Sequence, residues 1–332
     1  GSSRRHGRVR DGTALTMHSP EEVGHGISMQ LAPAYAEWKD RKINLVDTPG
    51  YQDFIGEALA ATRVVDGAVV VLGATNGVEV GTERVWGFCE DRDLPRLFFV
   101  SMMDTAHADF EGVYEQIKAP LTERVIPVEI PIGAGEDFRG IVNLFSGRAH
   151  MYRPDGERGE YDEADVPPEA AELFDRWRTE LFETIAASDD ALLERYLEGD
   201  AISREEAIAA MKAGMLNGTM VPLFCGAPER AWGTRALLSK LVELMPNPAE
   251  AARERARRPG IDQTVELEVS DDAAPAALVF KTATEPHVGE LSYFRLFSGS
   301  VANGQELFNA NREAPEKLAH IAVPQGKERR DV

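Results

Sequence analysis

The four residues Asp47-Thr48-Pro49-Gly50 combine a carboxylate with a tight turn, a combination that can bind a metal-chelated phosphate. They follow the apolar run at residues 43–46, which predicts a buried strand that ends at the Asp. The carboxylate can hold the water shell of Mg²⁺, and the glycine N–H can approach a γ-phosphate because no Cβ intervenes. Taken alone, the same residues also fit an ordinary turn at a strand end.

The segments around this turn alternate between strand-like and helix-like patterns. Residues 34–38 and 42–46 predict a hairpin, 53–65 a helix, 68–72 a buried strand, 80–91 a second helix and 97–100 another buried strand. Strands that alternate with helices predict a mostly parallel sheet joined by right-handed crossovers. The expected fold class is therefore α/β.

The pattern changes between about residues 125 and 218. Residues 128–132 and 141–144 predict short strands, and 170–187 and 203–217 predict helices, as expected of an α+β insertion. The first pattern resumes with a strand at 221–225 and a helix at 234–245. The charged segment 249–274 is expected to begin as a surface helix, and from residue 276 the pattern is all-β.

The composition excludes several classes of protein. A hydrophobic content of 43% supports real cores, and a net charge of -20 argues against non-specific binding to nucleic acid or anionic lipid. We interpret the Arg-rich clusters at 4–8 and 253–258 as solvated surface charge. Cys89 and Cys225 are far apart, which favours a reducing cytoplasm, and no apolar stretch reaches the ~20 residues of a membrane span.

Several segments taken together resemble one protein family. The loop Gly26-Ile27-Ser28-Met29, the Asp47 turn and the following stretch to residue 110 resemble the translational GTPases, and elongation factor G most closely. Residues 189–197 resemble the helical part of that family's insertion, and residues 280–281 and 289–299 resemble the start of its second, β-barrel domain. The resemblance implies a P-loop GTPase-type sheet with an α+β insertion, followed by the start of an all-β barrel domain.

The resemblance also implies domain boundaries. They place a GTPase core at 1–127, an inserted α+β subdomain at 128–219, the end of the core at 220–250, a linker at 251–275 and a partial β-barrel at 276–332. The family's phosphate loop, Gly-x-x-x-x-Gly-Lys-Ser/Thr, does not occur in the 332 residues. We therefore expect the chain to be clipped at both ends and inactive as given. About sixty residues should supply only three to five of the six to eight strands of a barrel.

The family's functional residues can be carried over one by one. GTP or GDP with Mg²⁺ is the implied cofactor, and the implied metal site uses the Ser28 hydroxyl and, through water, Asp47. Further implied nucleotide contacts are made by Asp47, Gly50, Ser101, Asp104, Gly226 and Ala227. Tyr51 stands where the family has the His that orients the attacking water, which makes its catalytic role doubtful.

Other departures affect the contacts with the base. Ser101 and Met102 replace the Asn and Lys of the family's Asn-Lys-x-Asp motif, and Pro228 removes a backbone donor from the second base loop. Ser28 replaces the usual Thr but keeps its hydroxyl. Asp104 could instead cap the next helix, and Tyr51 could be a packed or switch-lining aromatic.

Three functions remain open at this point. The first is an elongation factor G-like GTPase that acts as a cytoplasmic monomer on the ribosome, with no membrane or direct DNA binding. The second is a ribosome-docking homologue with weak or lost GTP hydrolysis, which the altered Tyr51, Ser101, Met102 and Pro228 favour. The third is an α/β scaffold without a nucleotide, against which the order of the motifs argues.

Overall fold

A computed structural model describes residues 7–258, 260, 263–285 and 289–332. The chain forms two compact units. The flanking unit consists of Gly1–Asp66 and Asn247–Val332, and the central unit of Gly67–Pro246. Among the described residues, no helix is both long and apolar enough to cross a bilayer.

The N-terminal part of the flanking unit contains two helices and a hairpin: α1 (Pro20–His25), β1 (Ala32–Trp38), β2 (Arg41–Asp47) and α2 (Ile55–Thr62). The antiparallel pairing of β1 with β2 confirms the predicted hairpin. Lys39 and Asp40 make its turn at φ values of 47° and 57°, as a two-residue hairpin connection requires.

Two predictions for this part of the chain were wrong in detail. Strand β2 is not buried, and Leu45 is 39% exposed, because β1 is the one strand that pairs with β2 among the described residues. The helix predicted at 53–65 is shorter, since a 3-10 turn at Gln52–Phe54 precedes α2 and the helix ends at Thr62.

The central unit begins with alternating strands and helices: β3 (Ala68–Gly73), α3 (Val80–Glu90), β4 (Arg96–Ser101), α4 (Phe110–Lys118) and β5 (Val125–Pro127). The insertion follows, with β6 (Glu129–Ile132), β7 (Gly140–Asn143), β8 (Arg148–Tyr152), β9 (Tyr161–Ala164), α5 (Pro168–Ala186), α6 (Asp190–Leu197) and α7 (Arg204–Leu216). The unit ends with β10 (Val221–Cys225) and α8 (Thr234–Leu244).

Two sheets organise the central unit. The parallel sheet has the strand order β3-β4-β10-β5, which confirms the predicted α/β core. The insertion contributes an antiparallel sheet, β6-β7-β8-β9, as the mixed α+β pattern predicted. The Val128 N–H donates to the Leu223 carbonyl at 2.9 Å, so the insertion begins directly beside β10. The apolar core includes the fully buried side chains of Leu97, Phe98 and Phe224.

The C-terminal part of the flanking unit is made of two-stranded ladders. Its strands are β11 (Arg255–Arg257), β12 (Thr264–Glu266), β13 (Ala276–Glu285), β14 (Gly289–Ser298), β15 (Glu306–Asn309), β16 (Ala314–Lys317), β17 (Ala322–Gln325) and β18 (Glu328–Asp331). The expected surface helix is instead the β11–β12 hairpin. In β11, Arg255 and Arg257 are exposed, and Ala256 between them is half-buried. This alternation with a period of two is typical of a strand.

The number of strands after residue 275 also differs from the expectation. Among the described residues, six strands, β13–β18, lie there instead of three to five, because four of them are only four residues long. They pair as three separate hairpins among the described residues.

Candidate nucleotide-binding site

The predicted base-site residues lie on two loops of the central unit. Strands β4 and β10 are parallel neighbours, with Val100 opposite Cys225, so the loops that follow them leave the same edge of the sheet. The Met103 N–H donates to the Gly226 carbonyl at 3.1 Å, and the Gly226 N–H donates to the Val100 carbonyl at 2.9 Å. The structure thus brings together Ser101, Asp104, Gly226 and Ala227. Their contact with a base stays a prediction.

These two loops are fixed by close packing. A Cβ at Gly226 would lie 2.5 Å from the Trp232 carbonyl oxygen and 2.9 Å from the Phe99 ring, so only glycine fits there. Met103 and Ala227 are buried, whereas Met102 is exposed with a φ of 63°. The base loops therefore rest on the core of the central unit.

Asp104 is not a helix cap. Helix α4 begins at Phe110, and the side chain of Asp109 caps it by accepting the Gly112 N–H at 2.9 Å. The Asp104 carboxylate instead lies 3.1 Å from Nε of Arg230, in an ion pair whose side chains are 20% and 53% exposed. The sequence interpretation missed Arg230, because no motif links it to Asp104.

The residues predicted to contact the metal and the γ-phosphate lie in the flanking unit. Asp47 is the last residue of β2, it is exposed, and its carboxylate has no hydrogen bond or ion pair with any described residue. A Cβ at Gly50 would meet no atom within 4 Å, so no packing in this chain requires a glycine there. The Tyr51 side chain is 57% exposed, so it is not packed in the core, and its switch-lining and catalytic roles stay predictions.

The half-buried Ser28 lies in a loop that a buried carboxylate holds. Glu22 of α1 is 2% exposed and accepts the N–H groups of His18 and Ser19 on one oxygen and of Met29 and Gln30 on the other, at 3.0–3.2 Å. Burial raises the pKa of Glu22, but these four backbone hydrogen bonds lower it by more, so its pKa lies below the usual range. The pattern Ser19-x-x-Glu22 is a capping box, a signal in the sequence that could have identified this residue.

A second set of contacts holds the end of the same loop. The Leu31 N–H donates to Glu57 of α2 at 2.7 Å, and the Leu31 carbonyl accepts from Nζ of Lys281 on β13 at 2.7 Å. Lys281 Nζ also lies 3.9 Å from the Glu57 carboxylate. Burial lowers the pKa of Lys281, and the carboxylates of Glu57 and Glu22 oppose that shift. Sequence reasoning missed Glu57 and Lys281, because their partners are distant in the chain.

The chemistry of the donor set suits magnesium. A free carboxylate at Asp47 and a hydroxyl at Ser28 are hard oxygen donors, and Mg²⁺ usually keeps several waters and binds substrate phosphates in addition. Among the described residues, no three His, Cys, Asp or Glu side chains form a metal-binding group. Ser28 and Asp47 carry oxygen donors of the kind that Mg²⁺ accepts, and their contact with a metal stays a prediction.

Comparison with known proteins defines the class. The family model described as elongation factor Tu GTP binding domain matches residues 1–247. A crystal structure of a protein from Thermus thermophilus is similar over 100% of this chain, with a TM-score of 0.84 and 33% sequence identity. The chain spans 46% of the length of that protein.

The chain therefore belongs to the family of the elongation factor Tu GTP-binding domain. This match confirms the predicted resemblance to the translational GTPases, and the structural match supports a place close to elongation factor G. This family binds guanine nucleotides.

Proposed function

We propose that the protein is a guanine-nucleotide-dependent factor of protein synthesis that acts on the ribosome. One observation carries the proposal: the loops with Asp104 and Gly226 leave neighbouring parallel strands and are bonded to each other. Asp104 offers a carboxylate that can accept hydrogen bonds from the two adjacent N–H donors of guanine. The family match over residues 1–247 supports the same proposal.

Each predicted residue has a role in this proposal. Asp104 reads the base, while Ser101 and the backbone of Gly226 and Ala227 complete its contacts. Asp47 holds Mg²⁺ through water, Ser28 coordinates it directly, and the Gly50 N–H bonds the γ-phosphate. The bound Mg²⁺ would neutralise charge on the β- and γ-phosphate oxygens. A monomeric, cytoplasmic protein is part of the proposal.

The test compares Asp47→Asn with Asp40→Asn in the protein at its natural length. Both aspartates are exposed in the same hairpin, and Asp40 sits in a turn where Asn is equally suitable. We expect Asp47→Asn to weaken Mg²⁺-dependent GTP binding about tenfold or more, since the carboxylate that would hold the water shell of Mg²⁺ is lost. Asp40→Asn should bind like the parent.

Ribosome binding is measured on the same proteins by co-sedimentation with a non-hydrolysable GTP analogue. The parent and Asp40→Asn should co-sediment only with the analogue, and gel filtration should show monomers. Nucleotide binding that does not depend on Asp47, or co-sedimentation that does not depend on the nucleotide, would contradict the proposal.

A second candidate, a factor with weak GTP hydrolysis, is favoured by Tyr51. This exposed residue follows Gly50, where the family has a His that places the attacking water. A phenol hydroxyl lies farther from the backbone than an imidazole nitrogen, so it displaces the water instead of orienting it. We expect Tyr51→His to raise ribosome-stimulated phosphate release and Tyr51→Phe to leave it low. Fast parental turnover that Tyr51→His lowers would exclude this candidate.

The 332-residue chain alone should bind GTP weakly. Its sequence contains no Gly-x-x-x-x-Gly-Lys-Ser/Thr motif, so it lacks most charge-assisted phosphate contacts, each worth about 1.5–3 kcal/mol. We expect a dissociation constant no tighter than about 1 mM in calorimetry. Micromolar affinity would show that other residues bind the phosphates.

A further inference from the structure

The Asp104 carboxylate already has a partner that resembles the edge of a guanine base. Nε of Arg230 lies 3.1 Å from Oδ2 of Asp104. A guanidinium presents planar N–H donors to a carboxylate, and guanine contains the same unit at N1, C2 and its amino group. Arg230 and a guanine base therefore compete for one acceptor.

The position of Arg230 is fixed by its own loop. A 3-10 turn at Pro228–Arg230 ends at Ala231, which adopts a left-handed conformation with a φ of 60°. Ala227 and Trp232 then exchange two backbone hydrogen bonds of 2.9 and 3.1 Å. These contacts join the turn that carries Arg230 to the base loop at Gly226.

An aromatic platform also contacts the guanidinium of Arg230. The guanidinium carbon of Arg230 lies 4.8 Å from the centre of the Trp232 ring. Trp232 is 3% exposed and stacks on Tyr152 with 5.2 Å between ring centres and 8° between planes. The Tyr152 hydroxyl accepts the Gly233 N–H at 2.6 Å, which fixes the platform. Arg230 thus keeps a cation–π contact when it leaves Asp104.

We propose that Arg230 is an internal competitor of the base: it neutralises Asp104 without nucleotide and must be displaced by guanine. This inference rests on the proposed guanine-nucleotide function. A base with two adjacent N–H donors can replace the guanidinium at the carboxylate. Adenine lacks that donor pair, so it gains nothing from Asp104 whether Arg230 is present or absent. Arg230 therefore lowers the affinity for guanine nucleotides and leaves the affinity for adenine nucleotides unchanged.

The experiment measures the affinity of nucleotide-free protein at its natural length for fluorescent GDP and ADP analogues. The key variant is Arg230→Gln, and Arg230→Lys restores the charge. The matched control is Arg158→Gln, because Arg158 donates to the Glu229 carbonyl of the same loop and forms no ion pair with Asp104. We expect Arg230→Gln to tighten GDP binding about three- to tenfold and to leave ADP binding unchanged.

Ionic strength gives a second readout that a purely structural role would not change. Salt screens the Arg230–Asp104 pair, so the difference between parent and Arg230→Gln should shrink between about 50 and 500 mM KCl. Arg230→Lys and Arg158→Gln should behave like the parent.

The outcomes separate the two proposals. If the parent binds GDP and Arg230→Gln binds it equally or more weakly, the role of Arg230 is wrong and the guanine-nucleotide function stands. If the parent binds neither nucleotide, the proposed function fails and the role of Arg230 fails with it.

Discussion

The base loops of the central unit, which follow β4 and β10, are held in place differently from two loops of the flanking unit. These two, the loop with Ser28 and the turn with Asp47 and Tyr51, are called the metal-side loops. The base loops are bonded to each other and rest on buried side chains such as Met103 and Ala227. On the metal side, Asp47 and Tyr51 are exposed, and the Asp47 carboxylate has no partner among the described residues. The loop with Ser28 is held by the carboxylates of Glu22 and Glu57, which lie outside it.

This difference indicates which part is pre-organised in the free protein. Loops fixed by core packing change shape only at the expense of the core, whereas exposed loops held by a few hydrogen bonds open at low free energy. We therefore infer that the base loops keep their shape without nucleotide. The shape of the metal-side loops depends on the few hydrogen bonds that hold them and on the bound ligand.

Asp104→Asn should have the largest effect on nucleotide binding, and it tests whether the base loops read the base through this carboxylate. The amide of Asn cannot accept from both guanine donors, so GDP affinity should fall about a hundredfold. Xanthine has a carbonyl where guanine has an amino group, so the Asn amide can donate to it and XDP binding should improve. Calorimetry or fluorescence titration with both nucleotides on the protein at its natural length measures the change.

Asp109→Asn is the matched control for that prediction. Asp109 lies five residues further on and caps α4, a task that Asn performs equally well. It should bind GDP like the parent. Equal GDP affinity of Asp104→Asn and the parent would show that the base loops do not read the base through this carboxylate.

Most of the central fold could be predicted from the sequence because its signals are local. Continuous apolar runs identified β3, β4 and β10, and helical spacing identified α3 almost to the residue. Asp104 and Gly226 were found through their motif positions. Arg230 was not found, because its pairing depends on a left-handed turn at Ala231 that no local pattern indicates.

Predictions failed where a local sequence pattern fits two structures, or where a residue contacts a partner that is distant in the sequence. A segment rich in Arg and Glu fits both an exposed helix and an exposed strand, and the region of β11 is a strand because it pairs with β12. The burial predicted for β2 rested on the apolar run at residues 43–46, and such a run does not show how many strands pair with it. Lys281 lies 250 positions from Leu31, and the hydrogen bond between them cannot be predicted from the periodicity of either segment.

Glu129, the first residue of β6, is buried in the central unit. This fully buried carboxyl has a pKa of about 7, because burial raises it and the nearby Glu243 raises it further, while Lys240 and a hydrogen bond from Asn143 partly lower it. A pKa that is higher in the folded than in the unfolded state makes the protein less stable as pH rises from about 4.5 to 7.

Glu129→Gln removes this titration and should raise the free energy of unfolding at pH 8 by about 3 kcal/mol relative to the parent. Below about pH 4.5 the two proteins should be nearly equal. Urea unfolding between about pH 4 and 8 measures the change, with the exposed Glu136→Gln as control. A parallel pH dependence of parent and Glu129→Gln would show that Glu129 does not titrate in this range.

The third prediction tests the support of the Ser28 loop. Glu22→Gln replaces one acceptor oxygen by a donor, which leaves two backbone N–H groups without a partner and should destabilise the loop by about 1.5 kcal/mol. Since the pKa of Glu22 is lowered by folding, its contribution is present above about pH 4.5 and is lost as pH falls through the folded pKa.

Hydrogen exchange by mass spectrometry gives the measurement for Glu22→Gln. Peptides around residues 26–31 should exchange faster, and peptides of the base loops should not change. Glu21→Gln, an exposed neighbour in α1, is the control. Faster exchange in the base loops would contradict the separate support of the two regions.

The smallest effect is expected from Lys281→Met. This variant removes one support of the Ser28 loop and leaves every predicted ligand in place. Lys281 lies on β13, and Met keeps most of its buried stem while it removes the hydrogen bond to the Leu31 carbonyl. One such bond is worth about 1 kcal/mol, so exchange at residues 26–31 should accelerate about fivefold. The exposed Lys327→Met should change nothing. If Lys281→Met accelerates exchange in β13 alone, then Glu57 suffices to hold Leu31, and the strand does not support the metal-side loop.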